Sequence, residues 1–154
     1  MAGVRVSVAP PTPEGRLHPR YLNSSGILVL RSDMPRDCPF GVNVDCLTLD
    51  FDERGVLAGV ELRLRMSRWR GNADVSHPGG AAGDIVLAGP RPASCDYDWP
   101  VSVSNDMQTD AARIAFGSGD YNRVVLLSKL CCALVLDDKL TGFCFSLRPR
   151  TPRG

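Results

Sequence analysis

Apolar and polar residues alternate along this chain in short runs, and the most regular run extends from Val44 to Met66. Val60, Leu62, Leu64 and Met66 are apolar, whereas Glu61, Arg63 and Arg65 between them are charged. A period of two places one face of a strand in a core and the other in water, while a helix would scatter these residues around its circumference. Upstream, Leu47, Leu49 and Phe51 share one face, and Val44 and Cys46 share the other. The stretch therefore reads as two strands joined by the charged turn DFDERG.

The rest of the chain follows the same logic. VRVSV at 4–8 alternates and predicts a first strand, placed at a sheet edge. Pro10, Pro11, Pro13 and Gly15 then predict an extended connector to about residue 20. GILVLR at 26–31 is a short β-branched run, the signature of a buried strand. A loop follows at SDMPRDCPFG. The Gly- and Pro-rich segment 71–100 reads as one long irregular loop, broken only by a short strand at Asp84–Ala88. Asn105 and Gln108 have capping-box spacing, which predicts a short helical turn at 105–111. ARIAF and YNRVVLLS around Gly117-Ser118-Gly119-Asp120 predict a hairpin. LCCALVLDDKLTGFCFSL predicts another, and RPRTPRG at 148–154 a frayed tail. Together these elements predict a single, mostly β domain: an antiparallel β-sandwich or open barrel of about eight strands built from hairpins, with at most one or two short helical turns.

The last hairpin echoes the central one. LTLD with VLAGVELRL and LVLD with KLTGFCFSL both run aspartate, Leu-x-Gly, apolar strand. This is either an internal duplication or two hairpins obeying the same turn chemistry, and one echo does not choose between them.

Composition narrows the function classes. A formal net charge of +1 gives no whole-molecule steering toward nucleic acid or anionic membrane. No apolar run is long enough for a transmembrane helix, and MAGVRVSVAPP lacks the pattern of a secretory signal, which makes the expected compartment the cytoplasm. There, Cys38, Cys46, Cys95, Cys131, Cys132 and Cys144 are expected as reduced thiols, and the Asn23-Ser24-Ser25 sequon as silent.

Asp50-x-Asp52-x-Arg54-Gly55 with Glu61 has the spacing of a calcium loop. Arg54 puts a cation where an oxygen ligand belongs, and the flanks are strands where helices are required. The motif therefore reads as hairpin chemistry with solvated acids and Gly55 at positive φ. No metal or cofactor is expected. Tyr21, GILVL and LTLDFDERGVLAGVEL also resemble a short bacterial β-meander family of unknown function, through Asp50, Asp52, Gly55, Gly59 and Glu61. The resemblance covers residues 21–64; it implies a meander and no activity.

The densest basic cluster is RLRMSRWR, with Arg63, Arg65, Arg68 and Arg70 around Trp69. Arginine offers paired donors to carboxylate or phosphate, and an exposed tryptophan can fill a partner's pocket or stack on a base. The plainer alternative is a solvated strand face paired to Glu61, Asp50 and Asp52, with Trp69 capping the core. Catalytic material is sparse: Cys95, His77 and Asp98 could form a thiol-nucleophile set, without any family spacing. GGAAGD at 79–84 lacks the end of a P-loop. The expected function is accordingly a non-enzymatic, protein-binding β domain of inhibitor, immunity or adaptor type, using Arg63, Arg65, Arg68, Trp69 and Arg70. A nucleic-acid-binding module using the same patch with Arg148 and Arg150 is the alternative, and a thiol enzyme built on Cys95 and His77 the second. The sequence leaves the oligomeric state open, a homo-oligomer included.

Overall fold

A computed structural model describes residues 2–34, 36–71, 75, 78–106 and 110–147. In β1 (Val4–Ala9), alternation buries Val4 and Val6 and exposes Arg5 and Ser7. The strand does not lie at a free edge: its first two residues pair with Leu140 and Lys139, and its last four with residues 84–87. The proline-rich stretch is more than a connector. A 3₁₀ turn at Pro13–Gly15 is capped by Thr12, whose hydroxyl accepts the Gly15 N–H at 3.2 Å. β2 (His18–Leu22) follows, and it tolerates Pro19 because it is the outermost strand of its sheet.

β3 (Ile27–Arg31) is the expected apolar strand. Beyond it, the structure divides what the sequence presents as one strand from Val44 to Phe51. β4 (Phe40–Val44) and β5 (Leu47–Phe51) meet at an Asp45-Cys46 turn, with Asp45 at φ 52°. β6 (Leu57–Leu62) completes a meander and stops four residues short of the alternation's end: Leu64 is half-buried and Met66 is exposed. A second 3₁₀ turn spans Met66–Arg68.

Four short strands occupy much of the segment read as irregular: β7 (Arg70–Gly71), β8 (Ala81–Ala82), the expected β9 (Asp84–Leu87) and β10 (Cys95–Tyr97). β11 (Val101–Asn105) ends on the residue expected to cap a helical turn, and Gln108 lies outside the described residues. β12 (Ala111–Phe116), β13 (Arg123–Ser128), β14 (Cys131–Leu136) and β15 (Lys139–Ser146) complete the chain. The described residues thus form fifteen strands rather than about eight: β7, β8 and β10 are too short to show a period, β4 and β5 read as one strand, and β2 lies in the stretch read as connector. They make two sheets that are mixed, not purely antiparallel, and that do not close into a barrel; β10 joins β4, β7 joins β11, and β8 joins β13 in parallel. Among these residues no helix is long and apolar enough to cross a membrane.

The strand order is β2-β3-β6-β5-β4-β10 in one sheet, and it contains the run β11-β12-β15-β14-β13-β8 in the other. β12 and β13 are therefore not the hairpin expected of them. β15 and β14 stand between them, and the connection crosses in Greek-key fashion, as does that from β3 to β4. The two orders match strand for strand. Matching makes β5 equivalent to β14 and β6 to β15, the two hairpins that echo in sequence. Gly59 faces Asp50 as Gly142 faces Leu134, and in both hairpins the register shifts at the following residue. Turn chemistry alone would not reproduce the neighbours, the bulge and the parallel outer strand together. One structural unit is built twice.

The inward faces meet in one apolar cluster. Leu47, Leu49, Phe51, Val60 and Leu62 come from the first unit, and Ile114, Phe116, Val135, Phe143 and Phe145 from the second. Each such side chain contributes about 1.5–3 kcal/mol by leaving water. Two aspartates are buried with them. Asp84 accepts from the Thr12 hydroxyl at 2.5 Å and faces Arg16 at 3.4 Å, tying the N-terminal turn to β9. Asp52, at the head of the DFDERG turn, accepts the backbone N–H groups of Arg54 and Val56, each at 2.9 Å, on one oxygen. Its other oxygen pairs with Arg36 at 2.5 Å. Asp52 is therefore not the solvated acid expected of this turn: protein donors already use the oxygens that a cation would need. Gly55 takes the expected left-handed conformation, φ 81°.

Removing one member of the buried Asp52–Arg36 pair strands the other, so Asp52→Ala and Arg36→Ala should each lower stability by about 3–5 kcal/mol in urea unfolding. The double variant should lose clearly less than the sum of the two.

Candidate interaction surface

The basic cluster begins where β6 leaves its sheet. The Arg63 N–H still donates to Cys46 O at 2.9 Å, and Arg68 and Trp69 close the 3₁₀ turn through N–H bonds to Arg65 O and Met66 O, at 2.8 and 3.1 Å. Arg70 and Gly71 then pair with Ser104 and Asn105 of β11. The segment thus bridges from one sheet to the other and is held at both ends. Its middle is held by Trp69, which is only 7% exposed. The indole meets Tyr21 of the first sheet edge-on at 5.9 Å and Phe145 of the second at 6.0 Å, and its N–H donates to Leu64 O at 2.9 Å. The Tyr21 hydroxyl accepts the Met66 N–H at 3.1 Å.

This geometry corrects one member of the expected site. Trp69 is an internal peg and offers no ring to a partner. The arginines divide too. Arg63 is engaged along its own sheet, 2.9 Å from Thr48 Oγ1 and 3.3 Å from Glu61 Oε2. Arg65, Arg68 and Arg70 are exposed and, among the described residues, enter no ion pair. Pairing of the cluster with Asp50 and Asp52 is not formed. The stem of Arg65 crosses Gly26, where an added Cβ would lie 2.6 Å from its Cγ; a cleft of about 280 Å³ opens there between Ser25, Ile27 and the two arginines Arg63 and Arg65. Met66, next in the chain after Arg65, is exposed.

A second surface lies on the same sheet, and only the SCDYDW segment hinted at it. Tyr97 and Trp99 stack at 4.1 Å with planes 6° apart, beside a cleft of about 480 Å³ lined by Asn43, Asp45, Asp96 and Asp98. A hydrogen-bond chain joins it to the arginines: Arg63 donates to Thr48, Thr48 to Asn43 at 3.0 Å, and Asn43 to Asp96 at 2.8 Å. Period-two reasoning could find Thr48 and Asn43 as outward residues, but not that β10 lies alongside β4.

Of the thiol set, only Cys95 and Asp98 fall within the described residues. Cys95 lies in a strand, not a loop, and its side-chain hydrogen bond raises the Tyr97 phenol pKa, with burial adding to the shift. His77, like Arg148 and Arg150, lies outside the described residues. His18 faces Asp33 at 3.7 Å in a larger cleft of about 760 Å³, with Arg16, Met34, Leu126 and Lys129 around it. Ser128 in that cleft spends its hydroxyl oxygen on the Leu130 N–H at 3.3 Å. The chain matches no protein-family model and no curated protein.

Trp69→Ala should lower stability by about 3–5 kcal/mol in chemical unfolding. Arg68→Ala should stay within about 0.5 kcal/mol of wild type in the same measurement. The third outcome concerns Asp50, on the outward face near Glu61: burial first, then the Glu61 charge, holds its carboxyl above the usual range, with Arg31 opposing. An acid whose pKa is higher folded than unfolded binds more protons in the native state, so stability falls as pH rises from the unfolded value through the folded one. Asp50→Asn should raise Tm at neutral pH and flatten that decline in a thermal-melt series from acid to neutral, with little effect at its acid end.

Proposed function

We propose that this chain is a non-enzymatic β domain that binds an acidic protein surface through Arg65, Arg68 and Arg70, with Arg63 and Met66 completing the contact. The observation that carries this reading is the combination of three guanidinium groups that enter no ion pair among the described residues with a short segment fixed at both ends and pegged by Trp69. Arginines on a fixed backbone lose less freedom on binding than arginines on a mobile loop, and an arginine without an internal partner keeps its paired donors for a carboxylate on another molecule. Met66 supplies a central apolar contact of the adaptable kind that such surfaces use. An inhibitor, immunity or adaptor role fits a small domain that works by occupying a surface. Six free thiols fit a reducing, cytoplasmic setting. The near-neutral total charge favours a protein over a nucleic acid, whose binding depends on many phosphate contacts.

The test is an affinity capture from the native host with wild type and with the folded triple variant Arg65→Ala/Arg68→Ala/Arg70→Ala. Wild type should retain an acidic protein, and the variant should lose about tenfold or more of it. Equal capture by a variant with unchanged Tm would overturn the reading. A salt-sensitive gel shift with single- or double-stranded DNA or RNA, lost in the same variant, would replace it with the nucleic-acid alternative.

A further inference from the structure

Aligning the two units exposes a chemical difference between them. On the outward face of the first sheet, Thr48 of β5 stands opposite Glu61 of β6. The equivalent positions in the second sheet are Cys132 of β14 and Cys144 of β15, again directly opposite. The same cross-strand row continues on either side, so that Arg113 of β12, Cys144, Cys132 and Leu126 of β13 stand side by side across four strands. The row faces away from the shared core. Cys132, Cys144 and Leu134 form their own small cluster with Val124 and Leu126, whereas Cys131 belongs to the main core on the other face. Alternation thus removes Cys131 as a competing partner.

Directly opposed residues of an antiparallel pair stand about 4.5–5.5 Å apart at Cα. A disulfide needs about 4.4–6.8 Å. The pair therefore has disulfide reach without any movement of the sheet. The two thiols are also unequal. A hydrogen bond from Cys132 lowers the pKa of the Cys144 thiol, and the Arg113 guanidinium lowers it further, against the opposing effect of burial. The same hydrogen bond, with burial, pushes Cys132 up. A thiol flanked by a cation on one strand and a second thiol on the other is an arrangement suited to directed thiol oxidation.

We propose that Cys132 and Cys144 form an oxidation site, at which hydrogen peroxide converts the two thiols into a cross-strand disulfide between β14 and β15. The Cys144 sulfur attacks one peroxide oxygen and the O–O bond breaks. Cys144 becomes a sulfenic acid, and the departing hydroxide takes the Cys144 proton to leave as water. The Cys132 sulfur then displaces the sulfenic hydroxyl, which departs with the Cys132 proton as a second water. Two thiols lose two electrons, and the peroxide is reduced to two waters. Burial selects the oxidant: Cys144 is 3% exposed and Cys132 is fully covered, so a small peroxide has access that a bulky disulfide such as oxidised glutathione lacks. The product joins strands that are already neighbours and so fastens the sheet without rearranging it.

The test treats the folded, full-length protein with hydrogen peroxide or oxidised glutathione, then alkylates under denaturing conditions and maps the peptides by mass spectrometry. A Cys131→Ser background removes ambiguity at the adjacent position. Hydrogen peroxide should produce a 132–144 linked peptide lacking two hydrogens, reversible by dithiol and accompanied by a higher Tm. Oxidised glutathione should not produce it. Cys132→Ser should stop at a Cys144 sulfenic acid that dimedone traps, and Arg113→Gln should slow linkage severalfold in a variant that still melts cooperatively. Oxidation of exposed Cys38 with Cys132 and Cys144 still fully alkylated would overturn the proposal, as would equally fast linkage by glutathione disulfide or dimedone labelling that ignores Cys144.

Discussion

Neither unit of this chain can hide its apolar face by itself, and the rest of the structure follows from that requirement. A Greek-key sheet with one apolar side is stable only when something covers that side, and here each sheet is the other's cover. The contact is made by large side chains from both units, Phe51 and Leu62 from one and Phe143 and Phe145 from the other. Trp69 is the clearest expression of the dependence. It belongs to the link between the units and touches a ring from each. A residue that arrives late from β6 thus fixes how the second unit approaches the first.

The same link explains why an exposed basic surface arises where it does. A chain leaving one sheet for the edge of the next must cross the outside of the seam, and the residues it carries across are held there by the pairing of β6 on one side and of β7 on the other. The arginines owe their exposure to Trp69 pointing inward. Anchor and surface are alternate residues of one short segment, so the packing of one presents the other.

How much of this was legible in the sequence depends on the length of each element. Val60 and Leu62 alternate with Glu61 over enough residues to announce a strand, and Gly55 announces its turn. The Asp45-Cys46 turn carries neither glycine nor proline, and Asp45 enters the left-handed region through its own short polar side chain, so β4 and β5 read as one strand. β12 and β13 were visible as strands, yet adjacency in sequence suggested a hairpin. Their true neighbours are set by Greek-key order, a long-range property that no local pattern encodes. The arginines of the candidate site were legible as a cluster. The inward turn of Trp69 was not, because its partners Tyr21 and Phe145 lie far away in the chain. Asp52 shows the opposite case: its place in a charged turn suggested a solvated acid, and its partner Arg36 sits in a loop that no periodicity describes.

The ends of the two sheets share a further property. One sheet finishes in β2, which carries Pro19, and in the three-residue β10; the other finishes in β7 and β8, of two residues each. A long, flat outer strand is a template on which another chain can add a strand of its own. None of these four borders offers one, because three are too short to hold a register and the fourth lacks an amide hydrogen at its proline. The small strands that periodicity could not detect therefore leave these four borders without a long template for strand addition.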